Sequence, residues 1–115
     1  MRAAETTFRR LTIGDQGALA SMVDPDDEEA SLVRLDQRSE ALVRIGALVA
    51  LDAPPTAYRD AVLTALDAGS SLDDLIGVLY AVAASVGSAK VASAAPKIAL
   101  AAGYDVDAAL EARDG

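Results

Sequence analysis

Residues 75–89 carry no charged side chain, and nothing else in the chain narrows its fold as much. Asp73 and Asp74 precede this run and Lys90 ends it. Within it Leu75, Ile76, Val78, Leu79, Tyr80, Val82 and Val86 leave no polar stripe at helical spacing, and a helix apolar on every side has to be covered. The run's fifteen residues fall short of the ~20 a membrane-spanning helix needs. It therefore predicts a buried central helix in an all-α domain of about six helices, with no membrane segment. Alternation at period two never persists, so no strand is expected.

The rest of the composition limits what can surround that helix. A chain of 115 residues is one small core, and its 52% hydrophobic content includes only one Phe and three Tyr, with alanine prominent. Alanine fills little volume, so a monomer would have a thin core and a homo-oligomer would thicken it. The net charge of −8 opposes binding to a phosphate backbone, and no nucleic-acid partner is expected. Cysteine and histidine are both absent. That removes disulfides, thiolate nucleophiles, cysteine-held metals and the usual neutral-pH base, and no cofactor or metal site is expected. Arg2, Arg9 and Arg10 are not followed by an apolar run, so no signal peptide is read and the expected location is cytoplasmic.

Taken in order, residues 1–30 read as an N-terminal arm with a short helix and an acidic turn, and residues 31–115 as the helical domain. Residues 1–11 are polar. Leu19, Met22 and Val23 are the apolar positions of a short amphipathic segment over 15–23. Residues 24–29 hold five acids in six positions, which lack the alternation and glycine of a calcium loop and read as a solvated turn. Asp36 is placed to cap a helix from 37 to about 51, whose apolar residues cover more than one face and predict deep burial. Pro54 and Pro55 end it and open another, to about 68, with Tyr58, Val62, Ala65 and Leu66 on one face. Gly69 closes that helix, Ser70 or Ser71 caps the central one, and Gly87 breaks it. A fifth helix is expected over 89–101 with a kink or restart at Pro96, and a last short one from 104 to 111.

Three stretches then resemble a known family: LDQRSEALV at 35–43, ALDAGSSLDDLI at 65–76, and the glycine-anchored, alanine-rich run from Gly87 to Leu100. Their order and spacing are similar to those of the carboxymuconolactone decarboxylase family, an all-helical group that includes the AhpD-type alkylhydroperoxidases. The resemblance covers about residues 31–112. It implies an AhpD-like helical domain and assembly into trimers or hexamers. Redox members carry Cys-x-x-Cys-x-x-x-His before the Ala-Leu-x-x-Gly turn, and those positions fall here at Pro54, Ala57 and Ala61. None can ionise, so a thiol peroxidase or disulfide reductase is excluded chemically.

The decarboxylase branch does not depend on a cysteine pair. Loss of CO2 from a lactone acid needs a cation for the carboxylates and a proton donor for carbon. Glu40 occupies the family's acidic position, with Arg44 one turn further on, and Tyr58 and Arg59 begin the next helix. Glu40 and Tyr58 are thus the candidate catalytic residues, and Arg44 and Arg59 the candidates for holding a small carboxylic acid or lactone. Each also has a plain structural explanation: an i, i+4 ion pair, an amphipathic core tyrosine, a solvated arginine. The leading expectation is a non-redox, oligomeric small-molecule-binding or interaction protein, and the other is a cofactor-free lyase or isomerase.

Overall fold

The computed structural model describes residues 2–27, 33–104 and 111, and it contains six helices and, among those residues, no strand. No helix among them is long and apolar enough to cross a membrane. The chain divides into two compact units, Met1–Leu35 and Asp36–Gly115.

In the first unit the polar N-terminal residues form a helix, α1 (Arg2–Thr12), which the sequence did not signal, followed by α2 (Gln16–Val23). Asp15 links them. Its carboxylate accepts the Ala18 backbone N–H at 2.9 Å as the α2 cap and meets the Arg10 guanidinium at 3.2 Å. The Ala18 bond and then Arg10 hold this carboxyl below its ordinary value. Leu19, Met22 and Val23 are exposed, and the small Ala18 is the buried residue of α2. Asp24 folds back to accept the Asp26 N–H at 2.9 Å, a solvated turn of its own. Glu28 and Glu29, the end of the acidic run, lie outside the described residues.

The second unit contains α3 (Gln37–Leu51), α4 (Pro55–Asp67), α5 (Leu72–Val86) and α6 (Ser88–Ala101). Asp36 caps α3 by accepting the Ser39 N–H and hydroxyl, and Pro54 and Pro55 turn the chain into α4. At the end of α4, Gly69 takes a positive φ of 96°. Its N–H bonds Leu66 O, while Ser70 N–H bonds Ala65 O, the paired bonds of a Schellman stop. Ser71 and Asp74 then make a reciprocal capping box that starts α5. Asp74 also receives Arg38 at 2.8 Å, tying the first turn of α5 to that of α3.

The core is built on α3 and α4, where Ala41, Ile45, Val49, Tyr58, Ala61, Val62 and Ala65 are buried. The expected deep burial of α3 holds for this one stripe, since Val43 and Leu51 are 61% and 75% exposed. The larger difference concerns α5. It packs on α3 and α6, yet only Leu75 is buried, while Leu72, Ile76 and Tyr80 are 54%, 51% and 81% exposed. The helix that carries the uncharged run, with only Asp73 and Asp74 in its first turn, is therefore not the covered centre of the unit. Its inner face, Leu75 with Val78, Leu79, Val82 and Val86, joins the core, and the opposite face is apolar as well. Gly46 lets α3 and α5 approach closely: a Cβ there would stand 3.3 Å from Val82 Cγ1. No restart occurs at Pro96, because α6 runs unbroken from Ser88 through it and ends at Gly103 in a second Schellman stop. The short helix expected over 104–111 lies outside the described residues except at its two ends.

Candidate functional site

The α3–α4 corner is held by side chains that arrive from forty residues further along. Asp52, just past α3, sits in the left-handed region at φ 49°, ψ 51°, which aspartate tolerates better than most residues. Its carboxylate accepts the Ser93 hydroxyl at 2.7 Å and stands 3.3 Å from the Lys97 ammonium. Those two bonds, the hydroxyl first, lower its pKa. Lys97 also donates to Ala53 O at 2.8 Å, and Lys90 donates to Ala50 O at 2.6 Å. Two ammonium groups thus satisfy carbonyls at the negative end of the α3 dipole. Lys90, Ser93 and Lys97 recur at helical spacing on α6, a polar stripe in an otherwise alanine-rich helix. That stripe was the sequence signal for this cluster, but its partners on the far side of the chain carried none.

Tyr58 lies under the corner with no exposed surface, its ring centroid 6.0 Å from the Lys97 ammonium. Burial first, and the Asp52 charge second, push its phenol pKa up. The hydroxyl has no hydrogen-bond partner among the described residues. A phenol made less acidic and closed off from solvent is poorly suited to deliver a proton to a bound molecule.

The four sequence candidates do not share one cavity. Glu40 and Arg44 are brought together 3.4 Å apart on the partly exposed flank of α3. Arg59, next to Tyr58 in sequence, faces a different space. It lines a cleft of about 400 Å³ together with Pro55, Thr56, Leu63, Lys97, Leu100, Ala101 and Gly103. The positions of the redox motif are equally unreactive in space: Ala61 is buried among apolar neighbours, Ala57 is half-buried against the same core, and Pro54 is the N-cap of α4. Among the described residues no group of acids could hold a metal ion.

A second concavity lies between α5 and α6. Leu72, Leu75, Ile76, Leu79, Ala95, Ala99 and Tyr104 are among the residues that line a groove of about 330 Å³. It continues past Tyr80, Ala83 and Val91 as a shallower trough of about 250 Å³. No charged residue lines either part. No family model, curated protein or solved structure matches the chain.

Proposed function

We propose that this chain is a cytoplasmic, non-redox helical interaction module that works as a homo-oligomer, with the α5–α6 face as the surface joining its copies. The observation that carries this reading is the exposed apolar side of α5, where Leu72, Ile76 and Tyr80 stand half or more exposed and the helix carries no charge beyond Asp73 and Asp74 in its first turn. A chain with a net charge of −8 repels its own copies, and a stretch without acids is where two of them approach at least cost. The area is of the right order. A tyrosine buries about 200 Å², so Tyr80 and Tyr104, 81% and 55% exposed, offer roughly 270 Å². That is a third of the ~800 Å² per partner of a standard interface, before Leu72, Ile76 and the alanines of α6 are added. The carboxymuconolactone decarboxylase resemblance favours trimers or hexamers.

A lyase reading has less support, since it needs Glu40, Tyr58 and an arginine on one cavity. Light scattering on the full chain tests the proposal. The wild type should be larger than a monomer, and Ile76→Glu/Tyr80→Glu should dissociate it with its helical circular dichroism retained. A monomeric wild type, or a double variant of unchanged size, would refute it.

A further inference from the structure

We propose that the cleft between the start of α4 and the end of α6 binds a small amphipathic carboxylate, with Arg59 meeting the charge and Leu63 and Leu100 seating the apolar end. The inference is independent of self-association, because none of the residues lining this cleft lines the α5–α6 groove. Its starting point is how the cations of the second unit are used. Arg38 pairs with Asp74, Arg44 with Glu40 and Lys97 with Asp52, while Lys90 donates to Ala50 O. Among the described residues of this unit, Arg59 alone has no such partner, and it lines the cleft. A guanidinium offers five donors in a planar fork that matches a carboxylate.

The surroundings favour the same ligand. Lys97 lines the cleft with its side chain only 20% exposed, fixed by Ala53 O and Asp52 and lying over the Tyr58 ring. An ammonium has three donors and two are engaged, so one remains. Thr56 adds a hydroxyl, and the cleft is bordered by both the first turn of α4 and the last turn of α6, whose opposite dipole ends offset each other. Asp52 already offsets the Lys97 charge, which leaves Arg59 as the one uncompensated cationic side chain of the lining. A single guanidinium suits a monocarboxylate better than a phosphate dianion. The other walls are Pro55, Leu63, Leu100 and Ala101, and Leu63 and Leu100 are 43% and 60% exposed, an apolar seat without an occupant of its own. At about 400 Å³ the cleft falls within the range of small-ligand sites.

Titrating the full-length protein with sodium hexanoate, followed by amide chemical shifts, tests this assignment. Saturable shifts are expected at Thr56, Arg59, Leu100 and Gly103. Arg59→Gln should weaken binding about tenfold, the scale of one charge-assisted contact. Arg44→Gln, whose site lies outside the cleft, should leave hexanoate affinity unchanged, and hexanol should bind about tenfold less tightly than hexanoate. The assignment is overturned if hexanoate gives no saturable shift at these amides, if Arg59→Gln binds as well as the wild type, if hexanol matches hexanoate, or if inorganic phosphate binds more tightly.

Discussion

Replacing Tyr58 with phenylalanine should make the protein more stable, the reverse of the usual outcome at a buried tyrosine. The ring has no exposed surface and packs among Ile45, Val49, Val62 and the alanines of the α3–α4 core, all of which Phe would keep. The Lys97 ammonium, 6.0 Å from the centroid, would keep its aromatic neighbour as well. What the change removes is a hydroxyl taken out of water with no partner among the described residues. Burying such a group uncompensated costs about 1–3 kcal/mol in proteins. A gain of about 1 kcal/mol is the conservative expectation, and for a unit of this size that raises Tm by roughly 4–8 °C. Urea unfolding followed by circular dichroism, at one fixed protein concentration because assembly would shift the midpoint, measures it directly. An unchanged slope with a higher midpoint would agree. A loss of about 0.5 kcal/mol or more would refute the reasoning, since it would mean that the hydroxyl makes a favourable bond in the folded protein.

Three further expectations follow from the packing and the carboxylates. Gly77→Ala should add about 0.5–1 kcal/mol by helix propensity alone, because a Cβ there meets nothing within 4 Å. Gly46→Val should lose about 1–3 kcal/mol by overpacking, because the first added carbon already stands 3.3 Å from Val82 Cγ1; matched urea melts of both variants would expose an error in either sign. Asp36, Asp52 and Asp74 are all more acidic folded than their ordinary value of 3.8, so the stability they contribute is complete above that value and drains away as pH falls through it and below. Tm should therefore be steady near neutrality and drop below about pH 4, less steeply in Asp52→Asn; a Tm that rises on acidification would contradict the assignment.

The punctuation of the fold was legible because it is local. Asp36, the Pro54-Pro55 pair, Gly69, the Ser71-Asp74 box and Gly103 act within three or four residues of where they stand, and the helices begin and end at them. Burial was less legible. The uncharged run after Asp74 predicts enclosure, but a helix also lacks polar residues when one face enters its own core and the other is left outward, and the pattern of one chain is the same in both cases. The helix α1 is not signalled by its polar residues; the Thr12 hydroxyl bonds Phe8 O within it, and Arg10 meets Asp15 just past its end. The Asp52 cluster was only half legible: the polar stripe on α6 shows at helical spacing, but Asp52 lies 41 and 45 residues from Ser93 and Lys97, and no periodicity reports that distance. The same holds for the cleft, where Arg59 is a candidate from sequence but nothing there pairs it with Lys97, which lines the same cleft from α6.

That separation dictates an order of events during synthesis. At roughly 5–20 residues per second, the bend at Asp52 is made several seconds before Ser93 and Lys97 exist to fasten it. Until then the Asp52 carboxylate and the Ala50 and Ala53 carbonyls lack the groups that bond them in the folded chain, and water must serve in their place. The α3–α4 corner is thus fastened last, and α6 is its latch.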